Sequence, residues 1–339
     1  MSIPLVSVCI PNYNYGHFIE MAVKSAFEQD YVNIEVIVVD NASTDDSQSV
    51  LSCLQIKYDF VFERNEKNIG MVQNFNRCMD LAKGEYVVFL SSDDLIKPQF
   101  VSKCVELFSA ENVGMVVAHC DGIDHQHNIS IKKPFFESSG IISGQEHSRI
   151  FLMTGIYFPS QVLIKKSTLQ DVGGWNTKYP IFFDWYTWFC ISLNSNIGYI
   201  KDSLVLYREH GESASSVSIM DMQMIFEKYL LKLDFNRKIV GNDYLLQFKD
   251  ESIRKLAANC MHYAASMLKI NDVALAKRYF QMIGVFDPLM IENDDYRMLD
   301  FCLNLKSTNA LDVYLKIVGS FDDYGTKRPF SLPQGSIFL

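Results

Sequence analysis

Apolar residues in the first hundred positions alternate between short dense runs and positions three or four apart, and each change of spacing predicts a change of element. Val6 to Ile10 is a short strand, and Ile19, Ala22, Val23 and Ala26 then recur at helical spacing. Glu35 to Val39 is an almost wholly apolar strand that ends in Asp40. Ser43 is placed to cap the next helix, with Asp45 and Asp46 in its first turn, where the helix dipole favours negative charge. Asp59 to Glu63 predicts a third strand and Met71 to Ala82 a helix stopped at Gly84; Glu85 to Leu90 predicts a fourth strand running into Ser91-Ser92-Asp93-Asp94. Alternating strand and helix implies parallel strands with crossover helices. Polar residues thus collect at the C-terminal ends of the strands, the edge where open parallel sheets bind ligands.

Pro98 opens a further helix with Val101, Cys104, Val105 and Phe108 on one face, and Val113 to Cys120 is another strand. Between about 121 and 215 the pattern is mixed, with short strands at Gln161 to Lys165 and Leu204 to Arg208 around a loop rich in glycine and aromatics. From about Ile219 helical spacing takes over, as in Met224, Ile225, Lys228 and Tyr229. Ala264 to Asp287 reads as helix, polar turn and helix; without a clear second copy, a generic bundle is preferred to a tetratricopeptide array. The expected organisation is a Rossmann-like α/β domain over 1–218, a helical region over 219–323 and an extended tail over 324–339, where Pro, Gly and Ser occur without period.

The 339 residues are 48% hydrophobic, enough for each part to bury a core of its own. A formal net charge of -9 offers no broad basic surface for a phosphate backbone, so nucleic acid is excluded as a general partner. Eight cysteines lie without a CxxC pair, several in apolar runs, and read as buried thiols of a reducing compartment. No basic segment with a long apolar run opens the chain, and no stretch approaches the roughly 18 apolar residues of a membrane span. A cytoplasmic protein is expected, with peripheral contact at the inner face of the membrane compatible with it.

Four polar clusters carry candidate chemistry. Pro11-Asn12-Tyr13-Asn14 ends the first strand, where an aromatic ring could stack on a base and amides could bond its edge, or Tyr13 could simply pack on the sheet. Asp40 ends the second strand, able either to accept from a base or ribose or to satisfy free N–H groups at a helix entry. Asp93 and Asp94 at the mouth of a buried strand repel each other and call for compensation; a hard divalent cation bridging them to a diphosphate would supply it, and a solvated helix N-cap is the alternative. Asp184 lies among Phe182, Phe183, Trp185 and Tyr186, where desolvation would make it a better proton acceptor, or where it could cap a helix starting at Trp185. His119, His125 and His127 near Asp121 and Asp124 read as a hairpin turn in preference to a second metal site.

The order of these clusters resembles family-2 glycosyltransferases of the GT-A fold. The resemblance rests on 6–14, 38–45, Asn68-Ile69-Gly70 with Asn76, 83–87, 91–94, Gly173-Gly174-Trp175 with Asp184, and Tyr207-Arg208-Glu209-His210 with Ser213 and Ser215. It implies that Pro11, Tyr13 and Asp40 hold the base and ribose, with Asn12, Asn68, Gly70 and Ser92 also at the nucleotide sugar. It further implies that Asp93 binds a metal, Mn²⁺ or Mg²⁺, on the diphosphate with Asp94 close by, that Asp184 is the catalytic base, and that His210 adds a metal or phosphate contact. Two positions depart from the family's habit: Ser91 stands where an acidic residue often begins the metal motif, and Phe183 precedes Asp184 where Glu often does. The implied reaction is inverting transfer of a sugar from a nucleotide-sugar donor, UDP by preference, to a saccharide or lipid-linked saccharide hydroxyl in bacterial surface polysaccharide synthesis. The rivals are a nucleotidyltransferase, which would want a basic glycine-rich loop that 11–17 lacks, and an idle nucleotide-sugar-binding protein whose C-terminal helices recruit a partner or a second copy.

Overall fold

The computed structural model describes residues 3–210, 220, 222–304 and 336–338. They fall into two compact units, one drawn from Met1–His210 and Arg328–Leu339 and the other from Gly211–Lys327.

In the first unit β1 (Val6–Asn12) runs parallel to β2 (Ile34–Asp40) on one side and to β4 (Tyr86–Phe89) on the other, and β3 (Val61–Arg64) extends the sheet beyond β2. Strands buried on both faces read as continuous Val/Ile runs because helices cover each side. α1 (Gly16–Phe27), α2 (Ser47–Leu54) and α4 (Phe100–Leu107) bury Ile19, Val23, Leu51, Phe100 and Cys104 against Val8, Val36 and Val88 on one face. α3 (Met71–Leu81) buries Val72, Phe75 and Cys78, with Phe75 stacked on Phe89 at 5.5 Å. Each such ring removed from water is worth about 1.5–3 kcal/mol.

The sheet continues through β6 (Val113–Ile123), β8 (Gly140–Ile142), β9 (Val162–Lys165), β10 (Asn196–Arg208) and β11 (Ile337–Phe338), in the order β11-β8-β10-β6-β9-β4-β1-β2-β3. β9 lies antiparallel between β4 and β6, whereas β10 is parallel to β6. β5 (Leu95–Ile96) pairs with β10, and β7 (Ile129–Ser130) with β6. α5 (Gly144–Met153), α6 (Lys166–Asp171) and α7 (Phe183–Ser192) complete this unit. α7 is held by indole donors, Trp185 Nε1 to Phe151 O at 2.8 Å and Trp188 Nε1 to Tyr157 O at 3.2 Å.

The second unit is helical: α8 (Gln223–Lys238), α9 (Asp243–Leu246), α10 (Lys249–Lys269), α11 (Val273–Phe286) and α12 (Asp294–Asn304). α10 and α11 pack together across a turn in which Asn271 takes φ +61° and Asp272 caps α11 by accepting from Leu275 N at 2.9 Å. Leu256, Ala257, Cys260, Leu275, Ala276 and Tyr279 form its core. No described helix is long and apolar enough to cross a membrane.

Several predicted boundaries move. The third strand starts at Val61, two residues late, and the strand ending at Arg208 begins at Asn196. α2 begins at Ser47, not after Ser43, because Asp45 turns its carboxylate to two donors, Ser47 N at 3.0 Å and Gly16 N at 2.8 Å, and so ties two helix starts from outside both. α7 begins at Phe183, placing Asp184 inside its first turn. Most of 324–339 lies outside the described residues, but Ile337–Phe338 is a strand against β8. Of the three histidines His119 lies within β6, while His125 and His127 sit in the turn of a hairpin closed by Gly122 opposite Ser130 and by Asp124 bonding Asn128. The eight cysteines are free, and six of them are buried.

Candidate active site

Asn12 and Asp40 are register partners at the ends of β1 and β2, so both polar groups arrive at the same edge of the sheet. Asp40 is fully buried, and its carboxylate accepts from Asn12 Nδ2 at 2.9 Å, Ser43 Oγ at 2.5 Å, Ser43 N at 3.0 Å and Arg64 Nε at 3.1 Å. Four donors on two oxygens use the acceptor capacity of a carboxylate. Asp40 therefore locks the turn after β2, and a base or ribose contact from it would require one of these donors to be exchanged. Tyr13 beside it is 40% exposed, open to a stacking partner. The same turn is pinned from the other side: Asn41 Nδ2 donates to Asn68 Oδ1 at 2.9 Å, and Asn68 Oδ1 also accepts from Gly70 N at 2.8 Å. Asn65 Nδ2 donates to both Asn41 and Asn74, and Asn74 Nδ2 reaches Val39 O at 3.0 Å.

Beyond β4 the chain turns at Ser91–Asp94, and Ser92 Oγ donates to Pro11 O at 2.9 Å, which joins this turn to the end of β1. The two carboxylates then separate. Asp94 is 1% exposed and accepts from Ser160 Oγ at 2.6 Å and Arg208 N at 2.9 Å. Burial, with Asp93 adding to it, pushes the Asp94 carboxyl well above the usual carboxylate range, and those two donors only partly offset the rise. Asp93 stays more open, and its Oδ2 lies 2.9 Å from His210 Nε2. Arg208 is 1% exposed beneath them, donating Nε to Asp93 O and Nη1 to Asp124 O, with its guanidinium 4.6 Å from the Phe18 ring. Arg208 Nη2 and His210 Nδ1 are buried without a hydrogen-bond partner. The unsatisfied buried N–H of Arg208 costs roughly 1–3 kcal/mol, which an anion at the site would relieve.

Residues 7–173 match the glycosyl transferase family 2 profile. The chain is a glycosyltransferase that carries the family-2 domain over these residues. It is 26% identical over 316 residues to the glycosyltransferase GlyG of Streptococcus pneumoniae, covering 89% of this chain and 95% of that one. It is also 28% identical over 288 residues to a GalNAc(5)-diNAcBac-PP-undecaprenol beta-1,3-glucosyltransferase of Campylobacter jejuni, covering 83% and 89%. Among solved structures it resembles S. aureus TarS 1–349, with a TM-score of 0.61, 18% identity and coverage of 88% and 90%. TarS 1–349 is also solved with UDP-GlcNAc. A mannosyltransferase of Pyrobaculum calidifontis solved with GDP-Man and Mn²⁺ matches with a TM-score of 0.52 at 18% identity, covering 93% and 86%. These structural likenesses place the chain in the GT-A fold.

In this glycosyltransferase the carboxylate oxygen of Asp93 and the imidazole nitrogen of His210 form a mixed O/N pair that could hold a divalent cation, the carboxylate suiting Mn²⁺ or Mg²⁺ and the imidazole favouring Mn²⁺ of the two. Among the described residues no group of three His, Cys, Asp or Glu side chains meets as a metal site, so the remaining positions would fall to water and phosphate oxygens. Asp184 stands in the first turn of α7, partly buried, and its Oδ1 accepts from Trp185 N at 2.6 Å.

Sequence reasoning gave no role at the site to Arg64, Asn74, Ser160 or Arg208, and read Ser43 only as a helix cap. An arginine closing the apolar run Leu204 to Tyr207 was a visible signal, since such a charge is buried only with partners. Ser160 carried none, because its partners lie 66 and 69 residues away.

Proposed function

We propose that this glycosyltransferase moves a sugar from a nucleoside-diphosphate donor, UDP being the favoured carrier, to a hydroxyl of a saccharide or lipid-linked saccharide with inversion at the anomeric carbon. The observation that carries the reading is the meeting of Asp93 and His210 at the C-terminal edge of the sheet, over a buried arginine with a free N–H. Asp93 and His210 would hold a divalent cation, which when bound neutralises charge on the leaving diphosphate. Tyr13 would stack on the base, and Asp40, Asn12, Asn68 and Gly70 would shape the turn that receives it. Ser92 and Asp94 fix the Asp93 backbone, and Asp184 would take the proton from the attacking hydroxyl. The undecaprenol-linked acceptor in the name of the Campylobacter relative, and the nucleotide sugars in the titles of the structural neighbours, support this choice of donor and acceptor class. An undecaprenol-linked acceptor lies in a membrane, so this chain would work at a membrane surface, in the surface-polysaccharide or glycoconjugate synthesis expected from its sequence.

A nucleotidyltransferase fits less well. The N-terminal amide of α1, Gly16 N, already donates to Asp45, so an acidic group occupies the place where a triphosphate would sit. A thermal-shift panel of nucleotide sugars with Mn²⁺ or with EDTA tests the reading. A cognate donor at about 100 times its Kd stabilises by about 2.7 kcal/mol, which shifts the melting temperature by roughly 5 °C or more. That shift is expected with Mn²⁺ and largely lost with EDTA; a response to nucleoside triphosphates alone would favour the rival.

A further inference from the structure

Asn76, on α3, makes a two-point contact with the backbone of Trp175, 99 residues on: its Nδ2 donates to Trp175 O at 2.8 Å and its Oδ1 accepts from Trp175 N at 2.9 Å. A side-chain amide that pairs with both polar groups of one residue fixes that residue in position and in rotation. The turn it holds can be reached only through Gly173 and Gly174, at φ +90° and +71°, values that side chains other than glycine's rarely tolerate. A Cβ on Gly174 would lie 3.0 Å from Asn76 Oδ1, close enough to press on the amide that holds Trp175.

Trp175 is the piece between the two sides of the proposed site. Its indole lies 4.8 Å, edge-on, from Phe89, the last residue of the strand that leads into Ser91–Asp94. It lies 5.3 Å from Phe183 and 5.3 Å from Trp188, which flank Asp184 on α7. Phe75, the neighbour of Asn76 on α3, touches both Trp175 and Phe183. The indole Nε1 is buried without a hydrogen-bond partner, so packing and the Asn76 pair are what locate this ring. A shift of the Trp175 backbone would pass to α7 through Phe183 and Trp188, while the turn carrying Asp93 is separately anchored by Pro11, Ser160 and Arg208.

We infer that Asn76 is a positioning residue for sugar transfer: by clamping Trp175 it sets where α7 presents Asp184 relative to the donor held at Asp93. The inference rests on the proposed role of Asp184 as base. Misplacing a catalytic group by about 1 Å can cost on the order of 100-fold, so Asn76→Ala should lower the transfer kcat by roughly 10- to 100-fold. Donor affinity should remain within about two-fold, because binding energy realised before the transition state is untouched. Asn76→Asp keeps an acceptor for Trp175 N but sets a carboxylate against Trp175 O. It should show the same split between kcat and KM, and it carries the test if the alanine variant does not fold.

Kinetics of Asn76→Ala, Asn76→Asp and Asp184→Asn, measured side by side with donor titrations and melting curves, decide it. A normal kcat in the folded Asn76 variants, or a parallel loss of kcat and donor affinity, would overturn the positioning role while an impaired Asp184→Asn leaves the base in place. Near-normal turnover of Asp184→Asn would instead remove the base on which the inference stands.

Discussion

Asp184→Asn is expected to lower the transfer rate by about 100- to 10,000-fold, the usual contribution of general-base catalysis, with donor affinity nearly unchanged. The substitution is chosen because the structural duty of Asp184 survives it. Its Oδ1 accepts from Trp185 N in the first turn of α7, and an asparagine oxygen accepts equally well. The helix loses the favourable placing of a negative charge at its N-terminus, worth about 0.3–1 kcal/mol. Asparagine has no basic oxygen with which to take up a proton. A transfer assay run beside a donor titration separates the two roles, and turnover close to wild type would reduce Asp184 to a helix-start residue.

The second large effect is expected from Asp93→Ala, which should weaken Mn²⁺-dependent UDP binding by at least about 100-fold, above the 10- to 100-fold typical of outer-shell partners of a metal. The fold should persist, since Arg208 is held by the Asp93 carbonyl and not by its carboxylate, and Asp94 keeps both its donors. Asp93→Asn refines the result. It can still bond His210 Nε2, so it preserves the packing of that buried ring against Tyr15 and Phe18 while removing the charge. Calorimetric titration of UDP with and without Mn²⁺ reads both variants, and unchanged affinity in Asp93→Ala would take Asp93 out of the metal site.

The parts of the fold legible in the sequence are those where one short-range pattern decides the element. β1, β2 and β4 are dense apolar runs, and α3 keeps its apolar positions on one face, so these elements and the helical face follow from local pattern alone. The start of α2 was misread because Ser43, a good capping residue by type, spends its hydroxyl on Asp40 instead. Local propensity had no means of seeing that competitor, which is created by burial of the strand end. The antiparallel position of β9 between β4 and β6 was equally hidden, since pairing across 75 to 79 residues leaves no local mark.

The site divides in the same way. Asp93 and His210 were legible as members of a pattern, and the structure brings them to 2.9 Å although 117 residues separate them. Asp94 was grouped with Asp93 as a joint ligand, yet it points inward to Ser160 and Arg208 and supports its neighbour from behind. Asp40 was read either as a base or ribose contact or as a residue satisfying free N–H groups at a helix entry, and its four donors, Ser43 N among them, fit the second duty. In both cases the residue type was informative, and its direction depended on partners distant in sequence.

Inversion by a single displacement is the central claim, and the anomeric configuration of the first-formed product measures it without assuming any residue's role. Proton NMR of the anomeric signal, followed during turnover of an α-linked nucleotide sugar selected by the thermal-shift panel, should show the β-configured product accumulating from the earliest time points. An α-configured product at those times would contradict a direct attack guided by Asp184 and would require a different chemistry at this site.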